Sequence, residues 1–369
     1  MKQRMMTRLI LVLSLMLSPL LWADEKTVYI YSWSDYLAPE TLKRFESKTG
    51  IKVVYDVYDS NDILEAKLFA GNTGYDVVFP TYFPYFLRQV KANIYQPLDS
   101  AKLPHLKGVD KKFDDPLTIN GKRYGAPFMW GTVGIGYNVD KIAALFGKEF
   151  TPDSWSFVFD PKNAEKLASC GIVFMNSPIY LAPIMMKYLG LNPQSTQYDD
   201  YSKAIAQFAK VQPYVTHFHD SQYINDLATG NACVAVGWSG DLIIARERAK
   251  LAAKPVNIAY VNPKEGAPLI FDVMAIPQGA KNIDAAYQFI DFMLEPQTMA
   301  ELTNYNYFPS PVPGSRALLN PKWQNDTSIY PPQTIMDQLF VQGELPLPVE
   351  KRVNRDWARM KAGEMANAK

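Results

Sequence analysis

Cysteine and histidine are scarce in this chain of 369 residues: Cys170 and Cys233 are the cysteines, and His105, His217 and His219 the histidines. So small a set leaves little with which to build a metal centre. "HFHD" would put His217 and His219 on one face of a strand beside Asp220, yet no third ligand cluster accompanies them. A strand edge or loop is the simpler reading. Signatures of nucleotide chemistry and of acyl transfer are missing too. "GTVGIG" has its glycines in the wrong order for a dinucleotide fingerprint, no Walker pattern occurs, and "GWSGD" mis-spaces Gly237 and Gly240 around Ser239 for a nucleophile elbow.

A surplus of one charge is also lacking. The chain has 38 basic and 37 acidic residues, which disfavours a polyanion partner such as nucleic acid. Long apolar runs are missing after the first residues. Residues 1–23 carry Lys2, Arg4 and Arg8, an apolar run over 9–17, then Pro19 and the small Ala23, which is the pattern of a secretory signal peptide. Its apolar part is short for a membrane span. The expectation is an exported, soluble, periplasmic protein, with no cysteine near the cut to carry a lipid. Loss of that segment would leave 35 basic residues against 37 acidic. In an oxidising compartment, Cys170 and Cys233 read as one disulfide.

What is present is abundant apolar and aromatic content, 48% and 13% of the residues, enough for two domains. "KTVYIYSW", "IKVVYDVYDS" and "YDVVFP" read as strands separated by the helices "APETLKRFESKTG" and "NDILEAKLFAG". That βαβαβ order predicts a parallel sheet with right-handed crossovers, so the fold class is α/β. "YGAPFMWGTVGIGYNVD", residues 124–140, mixes glycines with strand formers where a chain would pass between domains. A return crossing is expected within 257–277. "NIDAAYQFIDFMLEP" predicts an amphipathic helix ending at Pro296.

Ligands of open α/β sheets sit beyond the carboxyl ends of the strands. Trp33, Ser34 and Asp35 lie at that end of the first strand and Thr81 at that end of the third, while "NACVAVGWSGD" ends in Trp238 and Asp241. An aromatic ring near an aspartate recurs three times: Trp33 with Asp35, Trp238 with Asp241, and Phe271 with Asp272. Carboxylates meet a buried ammonium, and ring faces add about 0.5 to 2 kcal/mol per cation contact while covering methylenes. The combination suits a linear diamine or polyamine.

The stretches "YSWSDYLAPE", "TGIKVVYDVYDSNDILEAKL", "MWGTVGIGYNVDK", "HDSQYINDLATGNACVAVGWSGD" and "NPKEG" before "FDV" resemble the periplasmic putrescine- and spermidine-binding proteins of polyamine ABC importers, the putrescine type in particular. The resemblance covers the whole mature chain. It implies a two-lobed, hinged periplasmic binding protein fold of type II that closes on its ligand. Lobe one would take 24–133 and 256–300, and lobe two 134–255 and 301–369. It also implies a ligand site of Trp33, Ser34, Asp35, Tyr36, Thr81, Tyr180, Trp238, Asp241, Asp272 and Phe308, and the Cys170–Cys233 disulfide. Asp35, Asp241 and Asp272 would pair with ammonium groups. The partners implied are a small polyamine and an inner-membrane ABC permease, with a monomeric receptor, no cofactor, no metal and no catalytic residue. Four departures bear on amine choice: Tyr180 where relatives place a glutamate, Ile270 where an aromatic is usual, Phe308 for a tyrosine, and Asp220 for a serine. The rival readings are a receptor for another cationic amine that feeds a sensory system, and a periplasmic enzyme acting on amines.

Overall fold

The computed structural model describes residues 26–365; the expected signal segment lies outside the described residues. The first lobe opens with β1 (Thr27–Trp33), α1 (Pro39–Thr49), β2 (Lys52–Tyr58), α2 (Asn61–Ala70) and β3 (Val77–Val78). The strands are parallel in the order β2-β1-β3, as the alternating pattern predicts. Local chemistry sets the helix ends. Pro39 opens α1, needing no N–H partner there, and Gly50 closes it at φ 68°, donating its N–H to the Glu46 carbonyl. The Ser60 hydroxyl caps α2 by accepting from the Ile63 N–H at 3.3 Å.

The third strand is shorter than "YDVVFP" suggests, and Asp76 just before it donates its N–H to the Tyr29 carbonyl at 2.7 Å while its side chain serves as an acceptor. Its carboxylate takes the N–H groups of Tyr29 at 3.0 Å, Lys281 at 3.0 Å and Asn282 at 2.9 Å. The strand is two residues long, Val77 and Val78, and Pro80, which lacks an N–H, follows it closely.

The thirteen-residue β4 (Ala126–Asn138) joins the lobes. Its first half pairs antiparallel with β9 (Leu269–Met274), and its second half with β7 (Val234–Trp238) and β8 (Ile258–Val261). The second sheet runs β8-β4-β7-β5-β6, with β5 at Ile172–Phe174 and β6 at His217–Phe218. Around it pack α3 (Pro178–Tyr188), α4 (Tyr198–Val211), α5 (Gln222–Thr229) and α6 (Ser239–Leu251). The chain returns between β8 and β9, inside the expected 257–277 window. It then forms α7 (Ile283–Met293) and α8 (Pro296–Asn306) on the first lobe and α9 (Leu347–Lys361) on the second.

Val28, Phe45, Phe128, Phe289, Leu302, Phe308 and Val312 share one core, while Ile135, Phe174, Phe208, Val234, Ile258 and Trp357 share another. Met299 packs with the former and Tyr260 against the latter. Cys170 and Cys233 form the disulfide, with a Cα separation of 5.5 Å, tying a residue two positions before β5 to the one before β7.

Candidate functional site

The carboxyl ends of β1, β2, β3 and β7 converge on a cavity of about 80 Å³ between the lobes. A single water needs roughly 10–15 Å³ on the same measure, so the space admits a short chain of several heavy atoms. Nine of the ten expected site residues line it: Trp33, Ser34, Asp35, Tyr36 and Thr81 from one lobe, Trp238 and Asp241 from the other, and Asp272 and Phe308 from segments of the first lobe that return. Five carboxylates line the cavity, those of Asp35, Asp59, Asp220, Asp241 and Asp272, and no lysine or arginine does.

Asp272 stands opposite a β-bulge. The register of β9 against β4 shifts between Phe271 and Val273, so that Asp272 alone faces Phe128 and Met129 of β4, and on its other side it bridges to Thr81. There it accepts from the Tyr36 hydroxyl at 2.7 Å on one oxygen and from the Thr81 hydroxyl at 2.7 Å on the other. Thr81 is fixed in turn by Asn61, whose side-chain amide donates to its hydroxyl oxygen at 2.9 Å and accepts from its N–H at 3.1 Å. Burial pushes the Asp272 carboxyl up to about 7, against the opposing pull of the Thr81 and Tyr36 hydrogen bonds.

Asp241 sits in the first turn of α6, just after the end of β7. Its Oδ2 accepts from the Tyr223 hydroxyl. Burial raises it, too, to about 7; Tyr223 and Arg248 act in the lowering direction and Asp35 in the raising one. The glycines of "GWSGD" make room for these partners. A Cβ on Gly237 would meet the Tyr223 ring at 2.4 Å, and one on Gly240 the Phe308 ring at 2.2 Å.

The aromatic walls are held as firmly. Trp33 donates its indole N–H to the Phe79 carbonyl at 3.1 Å and its ring lies 4.7 Å from that of Tyr58. Tyr36 is wedged edge-on between Phe128 and Phe308, at 5.2 and 5.5 Å. Trp238 receives the edge of Tyr180 at 4.7 Å.

Two of the expected residues have protein partners of their own. Asp35, at φ 54°, turns its carboxylate to Arg248 of the opposite lobe, 2.8 Å away, so a ligand ammonium would have to share it. Tyr180 is not on the wall of this cavity. It backs Trp238 and donates its hydroxyl to the Phe83 carbonyl at 3.1 Å, and burial pushes its phenol up. Its place is between two smaller adjoining cavities. The histidines serve local structure: His217 Nε2 lies 2.8 Å from Asp226, and His219 Nδ1 accepts the N–H groups of Ser221 and Gln222 at 3.1 and 3.0 Å.

Residues that sequence reasoning missed are Tyr58, Asp59, Ser221, Ile224, Tyr223 and Arg248. Asp59 follows the end of β2 and takes the Ser34 hydroxyl at 2.8 Å, so the rule that singled out Asp35 and Thr81 would have found it. Arg248 and Tyr223 lie on helices, and nothing in their neighbourhood marks them.

Residues 40–331 match the bacterial extracellular solute-binding protein family. The chain is 44% identical over 344 residues to the putrescine-binding periplasmic protein SpuD of Pseudomonas aeruginosa, covering 93% of this chain and 94% of that protein. It is 42% identical over 348 residues to the putrescine-binding periplasmic protein PotF of Escherichia coli, covering 93% of each. Among solved structures, a putative spermidine/putrescine ABC transporter protein from Listeria monocytogenes superposes with a TM-score of 0.78 at 29% identity, over 91% of this chain and 99% of that one.

Proposed function

We propose, from the premise that this chain belongs to the bacterial extracellular solute-binding protein family, that it captures a polyamine such as putrescine or spermidine between its lobes and delivers it to an ABC permease. The observation that carries the reading is the pairing of Asp241 and Asp272 in one ring-walled cavity that holds no basic side chain. Each carboxylate is disfavoured by burial until a cation arrives. An ammonium restores its charge, and the hydroxyls of Tyr223, Tyr36 and Thr81 already hold its oxygens in place. Electrostatic preorganisation of this kind lowers the cost of desolvating the ligand. Trp33, Tyr36, Trp238 and Phe308 would cover the methylene chain, and Ser34 would set the position of Asp59.

The lobes that close would be 26–131 with 263–318, and 132–262 with 340–365, following the sides on which buried residues pack. Ligand binding across the cleft would favour the closed state. The receptor would act in the periplasm as a monomer, after export directed by residues 1–23, without a cofactor and without making or breaking a bond. A receptor feeding a sensory system would use the same cavity, and co-purification with a permease or with a sensor separates the two.

Calorimetry with putrescine, cadaverine, agmatine and spermidine tests the reading. At least one should bind in the micromolar range or tighter; binding of every amine weaker than about millimolar overturns it. Mass spectrometry of the amine retained through native purification provides an independent identification.

A further inference from the structure

A second chamber of about 40 Å³ adjoins the ring-walled cavity, and the two share four wall residues: Trp33, Asp59, Asp220 and Trp238. Asp62, Tyr85, Asn176 and Tyr180 also line it. The two spaces thus meet at the indoles, and the apolar walls of the second are rings and the Met175 side chain.

Its carboxylates differ in how well they are served. Asp59 takes the Ser34 hydroxyl, and Asp62 takes the Tyr85 hydroxyl at 3.1 Å. Asp220, on the wall common to both chambers, has neither a hydrogen-bond donor nor a salt-bridge partner among the described residues. The charged groups that face it are His219 on its own segment, Lys361 from the end of α9, and Asp59 and Asp62 from the first lobe. Lys361 is committed to Asn176, donating to its Oδ1 at 2.6 Å. Three carboxylates therefore surround a space reached by one lysine that is already engaged.

We propose that Asp220 is the specificity-determining residue of this site: with Asp59 and Asp62 it holds the further ammonium of a triamine whose other cationic groups lie at Asp241 and Asp272. A diamine whose two ammonium groups lie at Asp241 and Asp272 has no third cation to offer Asp220. A triamine continues between Trp33 and Trp238, where its methylenes contact the ring faces, and places a cationic nitrogen against Asp220. The inference rests on the polyamine reading given above and names the amine class that reading leaves open. Tyr180, backing Trp238 where its hydroxyl is turned to Phe83, contributes shape to this chamber and no charge.

The test is calorimetry at pH 8 with putrescine and spermidine, on the amine-free protein and on Asp220→Asn. The expected result is spermidine bound at least about tenfold more tightly than putrescine by the unaltered protein. In Asp220→Asn that advantage should fall by about tenfold, because spermidine loses more affinity than putrescine does. Asp62→Asn, on the wall of the second chamber, should move selectivity in the same direction. Equal affinity for the two amines in the unaltered protein, or a parallel loss of both in Asp220→Asn, overturns the inference and leaves the polyamine reading standing. Failure of both amines to bind overturns that reading as well. The selectivity of the unaltered protein decides the matter even if a variant folds poorly.

Discussion

Asp35 and Arg248 meet across the cleft, the guanidinium Nη2 of one 2.8 Å from the carboxylate Oδ2 of the other, with about half of each side chain still in solvent at 48% and 41% exposure. They stand on opposite lobes, Asp35 after β1 and Arg248 in α6. The contact ties the two lobes across the cleft, and its exposure limits what it contributes. Exposed pairs of this kind are worth about 0.2 to 1 kcal/mol and weaken with salt.

Replacement of Arg248 by alanine should therefore weaken amine binding by no more than about fivefold, with the difference shrinking at high ionic strength. Asp35→Asn should behave alike, since its carboxylate is already neutralised. Asp241→Asn and Asp272→Asn should cost about a hundredfold or more, because each would leave a ligand ammonium buried without its counter-charge. Titration calorimetry of the four variants checks this ordering. Equal losses at Asp35 and Asp272 would refute it.

Amine affinity should depend on pH through Asp241 and Asp272, whose carboxyls burial raises to about 7. A dication binds the ionised forms, so binding expels their protons. Affinity should be flat above pH 8 and fall by roughly tenfold or more for each unit below about 6. Proton release, read from the dependence of binding enthalpy on buffer ionisation, should accompany binding near pH 7.

The same two groups set a stability trend of opposite sign in the amine-free protein. A carboxyl raised on folding binds its proton more tightly in the native state than in the unfolded chain. Its contribution therefore favours the native state as pH falls from about 7 toward 4 and is lost as pH rises through 7. Thermal melts should show Asp241→Asn and Asp272→Asn stabilised relative to the unaltered protein at pH 8, and much less so at pH 5.

Gly240→Ala should disable binding while leaving most of the second lobe intact. The added Cβ falls 2.2 Å from the Phe308 ring, which must shift, and Phe308 packs on Tyr36, the donor to Asp272. Overpacking of this sort costs about 1 to 3 kcal/mol. Amine affinity should drop more than the melting temperature does; an unchanged affinity would show that the ring has no part in the site.

The Cys170–Cys233 bridge closes a loop of 63 residues within the second lobe and lies away from the cavity. Replacing both by serine should lower stability by up to about 4 kcal/mol in the chain-entropy account, with amine affinity unchanged within about twofold. Denaturant titration and calorimetry on the same preparation separate the two effects.

The element order, the parallel first sheet and the positions of most cavity residues were legible because strand and helix periodicity are local, and because the carboxyl end of a strand can be located once the strand is. Trp33, Thr81 and Trp238 follow from that rule, and Asp59 would have followed had it been applied to β2. Tyr180 shows its limit. A tyrosine standing at an expected acid position gives no hint that its ring will back Trp238 and its hydroxyl will turn to Phe83 across the lobes.

By itself, the chain's composition and pattern determined an α/β protein with rings and aspartates gathered at strand ends, since those features depend on residues a few positions apart. Only tertiary structure decided which aspartates are buried and which one is taken by Arg248. Those outcomes depend on groups up to 236 positions apart, as Tyr36 and Asp272 are, and on a bulge in β4 opposite Asp272 that no local pattern announces. The electrostatic character of a carboxylate is set by what closes over it, and here that is the other half of the molecule.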